Sequence, residues 1–135
     1  MLQNLFLPSV FAPVAVAIFL AITFLQSGLD KAFNFADNLS WFQSHFSKTF
    51  LRSWVHFLLA FITLIEVVAG SLCAIGAILI VFSNSKTIAT YGAEVAAISV
   101  LLLFFGQRIA KDYAGAASLV PYFLMCIGAV LLFNF

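Results

Sequence analysis

The sequence predicts an all-α integral membrane protein, a four-helix bundle with a short interfacial amphipathic helix between the first and second spans. Three observations carry that reading. Of 135 residues, 64% are hydrophobic and only 8% are charged, against roughly 25% charged in a soluble domain. The mean hydropathy is +1.16, and a chain so poor in polar groups cannot cover its own surface in water. Four apolar runs, 13–29, 54–82, 87–105 and 114–133, approach or exceed the roughly 20 residues needed to cross a hydrocarbon core about 30 Å thick. One membrane domain over 1–135 is expected, with the lipid bilayer as its first partner.

Pro13 suits the first turn of the first span, since its φ is already helical and the N–H it lacks would go unpaired there. Asp30 to Ser53 then forms the one long connection, 24 residues. Within it Leu39, Phe42, Phe46 and Phe50 recur at helical spacing, while Gln43, Ser44, Ser47 and Lys48 fall elsewhere around the turn. A short amphipathic helix is predicted to start at Trp41, with Ser40 and Gln43 at capping-box spacing. Trp41 and Trp54 at its edges favour the headgroup plane, where indole rings partition; a segment packed over the bundle accounts for the same pattern. The second run would be roughly 43 Å long as a straight helix, so it must tilt, kink or protrude. Ser83-Asn84-Ser85-Lys86 is the only polar break before the third run and predicts a tight helical hairpin. Pro121, inside the fourth run, should bend that helix or leave a carbonyl for a neighbour to satisfy.

Several function classes are disfavoured. The net charge of +1 arises from six basic and five acidic groups with no block of like charge, so no nucleic-acid footprint is expected. Cys73 and Cys126 lie in apolar runs without a C-x-x-C or a metal-ligand spacing, and read as small buried hydrophobes. His45 and His56 have no carboxylate or Cys at useful spacing and read as interface residues. With no haem ligand pair, P-loop or dinucleotide-binding glycine pattern, neither catalytic residue nor metal is expected. Met1 to Leu7 lacks the basic flank of a signal peptide, so no cleavage is expected.

The polar groups at membrane depth are more informative. Glu66 stands about twelve residues, roughly 18 Å, into the second run, where a carboxylate cannot face acyl chains. Steps of three and four lead from it to Ala69, Gly70, Cys73, Gly76 and Ala77, a small-residue stripe of the kind that marks close helix packing. Glu66 is therefore expected to point into the bundle, protonated or paired with Lys31, which shares a face with Ser27 and Gly28 at the end of the first span. Two readings stand side by side: a pin that fixes helix register, or a proton or quinone site. Glu94 lies in a second stripe with Thr87, Thr90, Tyr91 and Ala97, where Thr90 and Tyr91 are placed to hydrogen-bond its carboxyl. It reads as a structural or partner-facing group. Arg108 and Asp112, at i,i+4 spacing in the third hairpin beside Lys111, read as an exposed ion pair on a continuing helix or as a headgroup or quinone contact.

The run Phe24-Leu25-Gln26-Ser27-Gly28-Leu29-Asp30-Lys31, the Phe- and Trp-containing connection, and Glu66-x-x-x-Gly70 followed by Gly76 together resemble the DoxX-like family of small four-helix membrane proteins. The resemblance runs over essentially the whole chain, and Phe105 to Gly115 also looks like a bacterial variant. It implies a four-helix membrane bundle in which Gly28, Lys31, Glu66 and Gly70 are the family positions. Some relatives act as the small membrane subunit of a thiosulfate:quinone oxidoreductase, and others accompany redox enzymes or assist membrane-protein assembly. The expected function is thus an accessory integral subunit of a quinone-linked or other membrane redox complex in a bacterial cytoplasmic (inner) membrane. It would have no redox centre of its own, would sit beside other integral membrane subunits, and would meet quinone at a shared interface. A non-enzymatic scaffold or assembly factor is the alternative, and a small solute channel the third reading.

Orientation follows from the Lys and Arg distribution. With four spans, the long connection and the third hairpin share one side and hold Lys31, Lys48, Arg52, Arg108 and Lys111, while the other side holds Lys86. Five against one predicts a cytoplasmic connection and external termini. Single cysteines replacing Ser44 and Ser85, in a background lacking Cys73 and Cys126, should react with an impermeant thiol reagent from opposite faces; labelling of both from one face would overturn this topology.

Overall fold

A computed structural model describes residues 2–135. The chain is all-α: α1 (Leu2–Leu5), α2 (Pro8–Phe33), α3 (Phe35–His45), a 3₁₀ turn (Phe50–Trp54), α4 (Val55–Ser83), α5 (Thr87–Ile109), α6 (Tyr113–Ser118) and α7 (Val120–Phe133). Four segments are long and apolar enough to cross a bilayer: Pro8–Phe33, Phe50–Ser83, Thr87–Ile109 and Tyr113–Phe133. The architecture is that of a multi-span membrane protein, with α3 set between the first two spans.

The first span is longer at both ends than its apolar run. Pro8, not Pro13, takes the first-turn position, and Pro13 lies buried inside α2, where it forfeits one bond to the Ser9 carbonyl. At the other end Asp30 and Lys31 are helical. Asn34 closes α2, its N–H donating to the Asp30 carbonyl at 2.9 Å and its side-chain amide to Asp30 Oδ1 at 3.1 Å. It also opens α3, because its own carbonyl accepts from the Asn38 side-chain amide at 2.9 Å.

The predicted capping box at Ser40 is therefore not made. α3 starts at Phe35 rather than Trp41, and Ser40 is mid-helix, where amide groups already have intrahelical partners. The amphipathic pattern holds: Leu39, Phe42 and Phe46 are half-buried while Gln43, Ser44, Ser47 and Lys48 are exposed. Phe50 falls past the end of α3, exposed in the 3₁₀ turn.

Asn84 ends α4 with a left-handed φ of 54°, a conformation its short polar side chain tolerates, so the hairpin to α5 is as tight as expected. α5 runs past Phe105 to Ile109. The fourth span is interrupted at Leu119, between α6 and α7, so Pro121 sits in the first turn of α7. There its missing N–H has no intrahelical role.

α4 is the central helix, packed against α2 on one side and α5 on the other, with α7 against α5. The whole predicted stripe, Ala69, Gly70, Cys73, Gly76 and Ala77, is buried. A Cβ on Gly70 would fall 2.6 Å from the backbone nitrogen of Leu25, one on Gly76 2.5 Å from Ala89 Cα, and one on Gly92 2.8 Å from the Cys73 backbone. These helices meet backbone to backbone. Large side chains such as Ile22, Leu64 and Leu124 point outward, where lipid solvates them.

Gly76→Ala should consequently lower stability by about 1–3 kcal/mol, since α4 and α5 must separate to admit the methyl group. A Cβ on Gly128 meets nothing within 4 Å, so Gly128→Ala should be neutral or raise stability by up to about 1 kcal/mol through helix propensity. Unfolding in detergent checks both, and equal effects would contradict the packing argument.

Candidate functional site

The groups at membrane depth sort into an inner and an outer set. Near the end of α2, Lys31 Nζ donates to Ser27 Oγ at 2.8 Å and to Glu66 Oε2 at 3.2 Å. Glu66 is 1% exposed. The glycines explain how the two charges meet: a Cβ on Gly28 would lie 2.8 Å from Val67 Cγ2 and 3.2 Å from Glu66 Cβ, and Gly70 gives the same close approach one turn further along α4. Gly28, Lys31, Glu66 and Gly70 thus form one contiguous unit. Among the described residues Glu66 Oε1 has no hydrogen-bond partner, which leaves one carboxylate oxygen able to accept one further hydrogen bond.

Tyr91, Glu94, Arg108 and Lys111 are not gathered into a site. Glu94 and Tyr91 are exposed on the outer face of α5. The expected hydroxyl contact to Glu94 is absent, because Thr90 Oγ1 donates instead to the Lys86 carbonyl at 2.8 Å and accepts from the Asn134 amide at 3.3 Å. The expected Arg108–Asp112 pair is also not formed. α5 stops before Asp112, and Lys111 turns the chain with a φ of 60°. Arg108 stacks over the Tyr113 ring at 4.6 Å, while Asp112 caps α6 by accepting from the Gly115 N–H at 2.9 Å.

A second arrangement has no counterpart in the sequence reading. His45 Nε2 lies 2.6 Å from Gln107 Oε1 and 3.7 Å from Asp112 Oδ2. Trp41 stacks on the His45 ring, centroids 4.5 Å apart. These contacts place the long connection and the third hairpin at the same end of the bundle. Beside them is a cleft of about 500 Å³ between α3, the start of α4 and the end of α5, walled by Phe42, Phe46, Phe61, Leu102 and Phe105, with His45 and Gln107 as polar members. α3 packs against the first turns of α4, with the Phe35 and His56 rings 5.4 Å apart, and so forms one wall of the cleft.

Among the described residues, no group of three or more His, Cys, Asp or Glu side chains is placed to hold a metal ion. The chain matches no protein-family model, no curated protein and no solved structure.

Glu66→Ala leaves the Lys31 ammonium enclosed without its counter-charge and should destabilise the protein by about 3–5 kcal/mol. Glu66→Gln, which keeps an acceptor, should be milder, and Lys31→Met combined with Glu66→Leu should recover much of the loss, since an apolar pair of similar volume removes both buried charges. Additive effects in this cycle, measured by detergent unfolding, would show that the two residues do not act together.

Proposed function

We propose that the chain is an accessory integral subunit of a quinone-linked or other membrane redox complex, of the DoxX-like kind, in a bacterial cytoplasmic membrane. It carries no redox centre of its own and works beside other integral membrane subunits. The observation that supports this reading is the aromatic cleft under α3. Its volume and its walls of Phe and Leu suit a ring with an apolar tail, and such mostly apolar pockets with few polar groups are the usual form of small-molecule sites. His45 and Gln107 are the residues that would meet the ring oxygens. A quinone bound there would supply the electron-accepting chemistry that the chain lacks.

The residues have separate tasks in this proposal. Trp41 holds the His45 imidazole in plane, Gln107 and Asp112 fix which ring nitrogen carries the proton, and Phe42 and Phe46 exclude water. Glu66 does not line the cleft, so the Lys31–Glu66 unit is assigned the role of pinning α2 to α4. The scaffold or assembly reading draws on that same unit, in which charge and glycine alike serve helix contact.

Removing the protein and measuring quinone-dependent electron transfer together with the amount of assembled partner separates the two. Gln107→Leu should lower electron transfer about tenfold, the worth of one good hydrogen bond to a ligand, with assembly unchanged. Loss of assembly with intact turnover per assembled complex would favour the scaffold, and a cofactor spectrum from the purified single chain would contradict both.

A further inference from the structure

Among the described residues two buried side-chain oxygens have no hydrogen-bond partner, Glu66 Oε1 and Ser99 Oγ. Glu66 is 1% exposed and Ser99 0%, so neither reaches bulk water. They stand on different helices, and the seam between α4 and α5 sets them level. A Cβ on Gly76 would strike Ala89, and one on Gly92 would lie 2.8 Å from Cys73 Sγ. Because the two helices form a hairpin, each step back along α4 matches a step forward along α5. Steps of three and four join Gly76, Cys73, Ala69 and Glu66 on one side and Ala89, Gly92, Ala96 and Ser99 on the other, all of them buried. Two turns beyond the contact of Cys73 with Gly92, Glu66 therefore comes level with Ser99.

The Ser99 hydroxyl is not satisfied within its own helix. Thr63, Ser83 and Thr90 donate to the carbonyl four residues back, at 2.7, 2.9 and 2.8 Å, but Ser99 makes no such bond. Burying a hydroxyl and a carboxylate oxygen unpaired is costly, and buried polar groups that lack a protein partner are served by ordered water. We propose that one water molecule is bound between α4 and α5 at this level, donating to Glu66 Oε1 and accepting from the Ser99 hydroxyl. Local charge selects a neutral ligand: the Lys31 ammonium on Oε2, at 3.2 Å, repels a cation, and the carboxylate repels an anion. The ligand must also donate to one oxygen and accept from the other, and water is the smallest molecule that does both. Lys31, Glu66, the water and Ser99 then link α2, α4 and α5 through one chain of hydrogen bonds.

Detergent unfolding of the full chain tests the link. Ser99→Ala should lower the folded-to-unfolded ratio about 3- to 30-fold, the range for one interhelical hydrogen bond in a membrane. In a background of Lys31→Met with Glu66→Leu the same change should leave the ratio unaltered or raise it, because no carboxylate remains for the water to bind. Ser99→Asn and Ser99→Leu add the same number of heavy atoms and separate hydrogen bonding from packing. The introduced amide takes the place of the water and donates to Oε1 itself, so Ser99→Asn should hold a ratio about tenfold above Ser99→Leu. An experimental structure fine enough to place waters should show one within about 3.2 Å of both oxygens. An equal effect of Ser99→Ala in both backgrounds, equal stability of Ser99→Asn and Ser99→Leu, or a direct hydrogen bond from Ser99 to Glu66 in that structure would each overturn the proposal.

Discussion

Helices in a bilayer gain little by hiding apolar side chains from lipid, because acyl chains are as apolar as leucine. Cohesion therefore depends on how closely backbones approach, and in this protein the approach is made by α4. Its buried face offers Gly70 to Leu25 and Gly76 to Ala89, while Cys73 receives Gly92 of α5. Each contact leaves less space than one methyl group needs. Bulk displaced from these seams appears on the outer surface, where Ile22, Leu64 and Leu124 are among the most exposed side chains.

The Lys31–Glu66 pair depends on the same closeness. Were α2 held at the distance that a Cβ at position 28 or 70 requires, the ammonium group would have to stretch to reach Oε2, and the buried Glu66 carboxylate would lose its one partner. The pair and the glycines also differ in what they specify. Small residues permit several sliding registers between two helices, whereas a single charge contact selects one. Beyond the stretch that this contact fixes, the first turns of α4 pack against α3, which forms one wall of the cleft.

Sequence periodicity disclosed the parts of this structure that are local along the chain. Composition and four apolar runs specify four spans, the Ser83 to Lys86 break specifies the hairpin, and steps of three and four from Glu66 specify the inner face of α4. Boundaries were less legible where two residues compete for one position. Pro8 and Pro13 both suit a first turn, and Asn34 preempted Ser40 as the start of α3. The inner face of α5 carried a signal that the hydroxyl stripe obscured: Ala89, Gly92, Ala93, Ala96 and Ala97 mark the buried side, which turns Glu94 outward. The contact of His45 with Gln107, 62 positions apart, has no periodic signature, since it arises only once α3 is laid over the end of the bundle.

Thirty-five positions also separate Lys31 from Glu66, and that interval has a meaning in time. At a synthesis rate of about 5–20 residues per second, the carboxylate follows the ammonium by about 2–7 s. Throughout that delay Lys31 has no carboxylate to pair with, and its ammonium depends on Ser27 and on water at the end of α2. Only when α4 enters alongside can the ammonium exchange water for Glu66. α4 reaches α2 ahead of α5, so the glycine seam on α4 is half occupied when its second neighbour arrives.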